Sequence, residues 1–330
     1  MPESQVKAAV VGLGRIASLL EGDSLREKPC THCGAMAANP DCTLVAGADT
    51  DGDRRELFSQ TWQVPTYADA AEMLKTHRPD LLTIATHPDS HYRYCRLAFD
   101  LGIPVVVCEK PLAPNLAEAR SIAGLVGPGF TVITNHERRY SADWIRAKAI
   151  LAGGELGRLL SVHATLYMGR EKPLLDVLWH DGTHLADAVM FLTDSTLRHR
   201  KRWGAKLRST SGTAWLEGYL EGDRNGKPRI PVVLEAGAGR DHLVFQVQCS
   251  CERGRLDIGN GIFRVWESRP SPYAEHFRSL APTPETFSGP TGFFATMLAD
   301  AIACVRNPAL VPKSSAADGL RVVKYLSSLR

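Results

Sequence analysis

The first 135 residues alternate short apolar runs with amphipathic stretches, and this alternation constrains the fold more than any other feature. Apolar runs recur at Lys7–Val11, Thr43–Ala48, Leu81–Ala85, Val105–Cys108 and Phe130–Thr134. Between them, Ala68–His77, His91–Leu101 and Leu116–Val126 carry apolar residues at helical spacing. Short strands separated by helices give β-α-β units, because parallel neighbours need a crossover long enough to hold a helix. Pro79 and Pro104 fall just before strands, where a missing amide donor costs little. This region, 1–135, is expected to be a doubly wound parallel α/β sheet.

After Tyr140 the pattern changes. Ser141–Ala152 reads as a helix stopped by Gly153-Gly154, Leu159–Tyr167 as a strand and Thr183–Leu192 as a helix. Strand-length segments from Leu197 to Trp266 are separated by turn residues such as Asp223-Arg224-Asn225-Gly226. Consecutive strands with short turns imply a largely antiparallel sheet, so 136–330 is expected to form a second domain of α+β class. Pro270–Pro290 reads as an extended surface excursion, and Gly292–Val305 and Ala316–Leu329 as closing helices. A length of 330 residues has room for both domains.

The first strand runs directly into Gly12-Leu13-Gly14-Arg15-Ile16-Ala17, the spacing G-x-G-x-x-A. In that motif the first glycine permits a tight turn, the second admits a pyrophosphate to the backbone, and the small third residue lets helix and strand pack closely. The helix start supplies amides and a partial positive charge. Asp49 ends the second strand, where a carboxylate accepts hydrogen bonds from an adenosine ribose and repels a 2′-phosphate. That favours NAD, while the nearby Arg54 and Arg55 keep NADP open.

The acid usually lies about 20 residues past the glycine motif, yet Ala17 and Asp49 are 32 apart. The excess is assigned to Glu21–Gly34, a polar, irregular segment inserted after the first helical turn and able to fold over cofactor or substrate. It carries Cys30-Thr31-His32-Cys33, but structural zinc needs four ligands and only the distant Cys42 adds to the set. No metal is expected.

Composition excludes several classes. With 39 basic and 36 acidic residues the chain lacks the basic stripe of a nucleic-acid binder, and Arg198–Arg202 reads as a solvated strand end. No apolar run approaches a membrane span, and Val6–Val11 lacks the features of a signal peptide. The eight cysteines are then expected to stay reduced in the cytoplasm.

Three further motifs stand in order along the chain: Thr86-His87-Pro88-Asp89-Ser90-His91, Cys108-Glu109-Lys110-Pro111 and His180-Asp181-Gly182-Thr183-His184. With the glycine turn, and with Asn135–Tyr140 as a crossover, this order resembles the Gfo/Idh/MocA family of glucose–fructose oxidoreductase, inositol dehydrogenase and rhizopine-catabolism proteins. The resemblance implies a nicotinamide cofactor on the first domain and a small polyhydroxylated substrate, a sugar or cyclitol, against the sheet of the second. It implies that Gly12, Gly14, Arg15 and Ile16 surround the pyrophosphate and that Thr86 and His91 line the dinucleotide cleft. It also puts Glu109 beside the nicotinamide ribose and Lys110 at the substrate carbinol. His184 matches an acid/base histidine of many members. The aspartate commonly found four residues earlier is His180 here, with Asp181 displaced by one.

Chemistry supports Lys110 independently. Hydride removal from an alcohol carbon builds carbonyl character as the hydroxyl proton leaves, and a positioned base or cationic donor lowers that barrier. Lys110 and His184 are therefore expected to do the chemistry, with His180 or Asp181 orienting the substrate. Arg139 and Tyr140 are candidates to clamp a polar substrate, or to bridge the domains. The expected activity is NAD(P)-dependent oxidation or reduction at a CH–OH group. The competing functions are a glycosidase that retains NAD and a non-catalytic regulator. A homodimer or homotetramer through the second sheet is implied by the resemblance.

Overall fold

A computed structural model describes residues 4–169, 171–221 and 229–330; the turn expected at Asp223–Gly226 lies outside them. The chain forms two compact units, Met1–Ser141 with Pro290–Val323, and Ala142–Gly289 with Lys324–Arg330. The first unit thus runs a few residues past the 135/136 boundary read from the sequence and includes the segment from Pro290, which folds back onto it.

The first unit runs β1 (Val6–Val11), α1 (His32–Ala38), β2 (Cys42–Ala48), α2 (Gly52–Trp62), β3 (Thr66–Tyr67), α3 (Ala70–His77), β4 (Leu81–Ile84), α4 (His91–Asp100), β5 (Val105–Cys108), α5 (Leu116–Leu125) and β6 (Thr131–Thr134). Its six strands lie in the order β3-β2-β1-β4-β5-β6, all parallel. β4, β5 and β6 are buried along their whole length, as expected where helices cover both faces of a sheet. α2 was not among the helices read from the sequence: of its apolar residues only Phe58 is buried, so it has little periodicity to reveal.

The return segment carries α9 (Phe293–Arg306) and the start of α10 (Ala316–Ser327), numbered after the helices of the second unit that precede them in the chain. Phe294, Met297, Leu298, Ala301 and Ile302 recur at helical spacing and join the core formed by Val10, Leu13, Met36 and Val107. That apolar stripe explains why a segment so distant in sequence belongs to the first unit.

The excess length between glycine motif and acid has a simple geometry. The His32 amide donates to Ile16 O and the Cys33 amide to Ala17 O, sixteen residues apart where a regular α-helix has four. Twelve residues are thus looped out of the helix that should follow the motif, and removing them returns the acid to about 20 residues past Ala17. The loop closes on itself: Glu21 Oε2 accepts from Cys30 N (3.1 Å) and Thr31 Oγ1 (2.7 Å). The helix resumes at His32, inside the Glu21–Gly34 span assigned to the insertion, because Thr31 caps it through Gly34 N.

The second unit contains α6 (Ala142–Gly153), β7 (Leu159–Tyr167), α7 (Leu174–His180), α8 (Gly182–Thr193), β8 (Leu197–Gly204), β9 (Gly212–Leu220), β10 (Ile230–Ala238), β11 (Val244–Cys251), β12 (Gly254–Gly259), β13 (Ile262–Pro270) and β14 (Arg278–Pro282). Its eight strands take the order β14-β13-β12-β11-β7-β10-β9-β8, antiparallel except for β7 with β10. Alternating burial along β9 and β11 gives one face to the core. The basic run Arg198–Arg202 lies on edge strand β8, where charge discourages further strand pairing. Pro270–Pro290 is not wholly irregular, since β14 within it pairs with β13 as the opposite edge.

Candidate active site

Gly12 has φ +86°, and a Cβ there would lie 2.8 Å from the backbone of Ala85, so the turn requires glycine. Its amide donates to Ala48 O (2.8 Å), and the Leu13 amide donates to Asp49 Oδ2 (2.8 Å). Asp49 therefore fixes the glycine turn itself. Its Oδ1 accepts from the Asp51 amide, and the Arg54 guanidinium stands 3.7 Å from Oδ2. At Gly14 a Cβ would meet only Arg54, at 3.7 Å, leaving the backbone approachable. Arg15 is exposed and Ile16 half-buried. Ser18 is the first residue whose amide turns back, to Gly14 O (3.1 Å), so the amides before it occupy a first turn that has no acceptor of its own. The helix makes one turn here before the loop interrupts it. A closed first glycine, an open second one and first-turn amides fit a pyrophosphate.

Thr86 follows β4, its hydroxyl 2.6 Å from Ser90 Oγ. His91 is fully enclosed, with Nε2 3.1 Å from Thr86 O and Nδ1 3.1 Å from Pro111 O. It presents no exposed surface. It ties the loop after β4 to the loop after β5. Burial lowers its pKa, against the opposing pull of the Thr86 carbonyl, Glu109 and the Leu112 and Pro111 carbonyls.

Glu109 is the most heavily wired acid of the site. It directly follows β5, and its side chain is 8% exposed. Oε1 accepts from His32 Nε2 (2.8 Å) and from Asn135 Nδ2 (2.6 Å), while Oε2 lies 3.3 Å from the amide of Lys110. Burial pushes its pKa upward, but the His32 hydrogen bond and charge, with Lys110 and Asn135, outweigh burial and hold it at about 2. An ionised carboxylate only accepts, so the proton of that bond sits on His32 Nε2. Lys110 itself is half-buried.

Arg139 and Tyr140 are both buried and bonded to the returning segment. Tyr140 is fully buried, and its hydroxyl donates to Asp300 Oδ2 (2.9 Å) on α9. Arg139 is 7% exposed; it bonds Lys313 O (3.2 Å) and pairs with Asp318 (3.3 Å) on α10. Both residues fasten the crossover to the returning helices within the first unit, which supplies the polar partners their burial demands. Burial and the Asp300 carboxylate push the Tyr140 phenol well up.

In the second unit the His180–His184 motif is split. α7 ends at His180, α8 begins at Gly182, and Asp181 stands between them. His180 and His184 therefore lie on different helices. His180, with a side chain 65% exposed, sits 3.0 Å from Asp181 Oδ1. The His184 amide donates to Asp181 O (3.1 Å), which places half-buried His184 in the first turn of α8.

Sequence reasoning passed over His32 as a failed metal ligand and Asn135 as a crossover residue. Their shared acceptor, Glu109, is 77 and 26 residues away, and no local spacing signals such a meeting. All eight cysteines are free and buried. Among the described residues no three His, Cys, Asp or Glu side chains are grouped to hold a metal, and no helix is long and apolar enough to cross a membrane.

Residues 6–127 match the family model described as the oxidoreductase family with an NAD-binding Rossmann fold. The chain is 30% identical over 286 residues to an inositol 2-dehydrogenase of Streptomyces avermitilis, covering 81% of this chain and 76% of that protein. It is 33% identical over 144 residues to the uncharacterized oxidoreductase YhhX of Escherichia coli, 39% of this chain and 41% of that protein. With an uncharacterized oxidoreductase of Schizosaccharomyces pombe, 25% identical over 57% of this chain, the covered share of the relative is 51%. The chain thus spans about half, or less, of the length of these last two relatives.

Solved structures share the fold. A dehydrogenase from Chromobacterium violaceum superposes with a TM-score of 0.77 at 17% identity, over 99% of this chain and 94% of that one. An oxidoreductase from Agrobacterium radiobacter in complex with NAD+, L-tartaric acid and magnesium gives 0.71 at 16% identity, over 98% and 95%. With the glycine turn, the Glu-Lys-Pro segment closing β5 and a relative aligned over most of its length, the chain belongs to the Gfo/Idh/MocA oxidoreductase family.

Proposed function

We propose that this chain is a nicotinamide-dependent dehydrogenase or reductase acting on a CH–OH or carbonyl group of a sugar, cyclitol or related polyol. The observation that carries the reading is the Glu109–Lys110 pair at the carboxyl end of β5. It stands on the same parallel sheet as the Gly12 turn, at the strand end where such sheets bind ligands. The named activities of relatives, inositol 2-dehydrogenase and D-glucoside 3-dehydrogenase among them, support the substrate class.

The bound nicotinamide supplies the hydride acceptor or donor. Gly12, Gly14, Arg15 and Ile16 hold the pyrophosphate, and Thr86 borders the cofactor. Glu109 Oε2, the oxygen left by His32 and Asn135, accepts from a ribose hydroxyl. Lys110 stabilises the oxygen of the reacting carbon and takes up or returns its proton, as a partly desolvated lysine can. His184 acts as a second acid/base group, with Asp181 as the nearer acid in sequence. NAD is the preferred cofactor because Asp49 closes β2, with NADP as the alternative that Arg54 would serve. A cytoplasmic homodimer or homotetramer, assembled through the second sheet, completes the proposal.

The test is titration of the purified protein with NADH and NADPH, followed by a screen of sugars and cyclitols for a change in reduced-nicotinamide absorbance. Turnover lost in Lys110→Ala and His184→Ala supports the assignment. Equal turnover in all three proteins removes it. Tightly held NAD with release of an aryl leaving group from glycosides would favour the retained-cofactor hydrolase instead.

A further inference from the structure

We propose that His32, delivered by the looped-out segment, is a positioning residue that sets the orientation and charge of Glu109 and through it the neighbourhood of Lys110. In its catalytic meaning the proposal rests on the dehydrogenase reading above.

His32 is the first residue of α1, and its ring is held on several sides. Thr31 caps the helix and is itself bonded to Glu21. The ring packs edge-on against Phe294, with centroids 5.1 Å apart at 84°. Its Nε2 then meets Glu109 Oε1 at 2.8 Å, with the two side chains 1% and 8% exposed. The loop that leads to it is anchored at a second place, since Glu27 accepts from the amides of Thr291 (2.8 Å) and Gly292 (2.7 Å) ahead of α9. The segment is therefore a fixed strap, and its outlet delivers a histidine into the buried floor of the site.

The chemical consequence follows from counting acceptors. Oε1 takes two donors, His32 and Asn135, which leaves it little further capacity. Among the described residues Oε2 meets the Lys110 amide at 3.3 Å and keeps lone pairs for a ligand hydroxyl. His32 thus decides which oxygen is presented. It also supplies part of the compensation that lets a carboxylate remain ionised while buried. The other titratable groups near Glu109 are Lys110 beside it, His91 from α4 and the buried Cys108 thiol.

The experiment compares the whole wild-type chain with His32→Ala and His32→Gln. Glutamine places an amide donor near the position of Nε2. Thermal melting is followed between about pH 3 and 7, and affinity is measured for NADH or NADPH, whichever the wild type binds more tightly. His32→Ala is expected to shift the acid-melting limb to higher pH and, because Oε2 is no longer held toward the ligand, to weaken dinucleotide binding about ten-fold. His32→Gln is expected to recover most of that affinity.

A folded His32→Ala protein with wild-type affinity and an unmoved acid limb overturns the proposal, as does a folded His32→Gln protein as impaired as the alanine variant. Should the alanine variant fail to fold, the glutamine variant decides alone. A wild type that binds neither dinucleotide defeats the dehydrogenase reading and with it the proposed catalytic meaning of His32. The acid limb of the variants then reports separately whether His32 sustains the Glu109 carboxylate.

Discussion

The carboxyl end of β5 and the corner between α7 and α8 both carry residues suited to proton chemistry, yet they are built differently. At β5 a carboxylate is enclosed, bonded by a histidine and an asparagine from two other elements, and followed by a half-buried lysine. At the α7–α8 corner, His180 stands 65% exposed and pairs with a neighbour in sequence, while His184 lies in the first turn of a new helix. Buried and multiply bonded groups have little freedom and strong mutual electrostatics, whereas exposed pairs are screened by water. The difference teaches where a substitution should matter most.

Lys110→Ala is the largest expected break. Turnover should fall by about 10²–10⁴-fold, the range for a lost acid–base group, with melting temperature nearly unchanged. A variant that keeps wild-type kcat would put the chemistry elsewhere and erase the contrast. Gly12→Ala should come next in severity. Its Cβ would meet Ala85 at 2.8 Å in a backbone conformation that L residues disfavour, for a loss of about 1–3 kcal/mol of stability and much of the dinucleotide affinity. Denaturant melts and a binding titration check both parts.

Tyr140→Phe sharpens the separation between scaffold and site. It removes the buried hydrogen bond to Asp300 and should cost about 1–3 kcal/mol in denaturant unfolding while leaving KM within about two-fold. A large rise in KM with unchanged stability would restore Tyr140 as a substrate contact. His180→Ala should be mildest, within about 0.5 kcal/mol in stability, because its pair with Asp181 is open to water. A large kinetic effect there would make the exposed corner a second organised centre.

Acid offers a further check on the buried pole. The Glu109 pKa is depressed from 4.5 to about 2. Its contribution is therefore fully present above the unfolded value and lost as pH falls through that interval. Glu109→Gln should flatten the pH dependence of stability in that window.

Much of the first unit was legible in the sequence because its strands are short apolar runs between helices, and Val105–Cys108 was read to the residue. The glycine turn was legible from its local spacing, and its acid from its place at the end of the second apolar run. What sequence could not carry was pairing at long range. His32 meets Glu109 only because twelve residues are looped out and the helix resumes on the carbonyls of Ile16 and Ala17. The return of α9 to the first core was hidden for the same reason, as its apolar stripe names a partner face without saying which. The break at Asp181 escaped notice because His180, Asp181 and His184 sit at spacings that also suit one continuous helix.

The most direct test of the central claim is a crystal structure of this chain with bound NAD+. The account predicts the nicotinamide ribose within hydrogen-bond distance of Glu109 Oε2, with the Lys110 ammonium directed at the space above the ring's reactive carbon. A ring bound far from Lys110, with that side chain turned to bulk water, would contradict it.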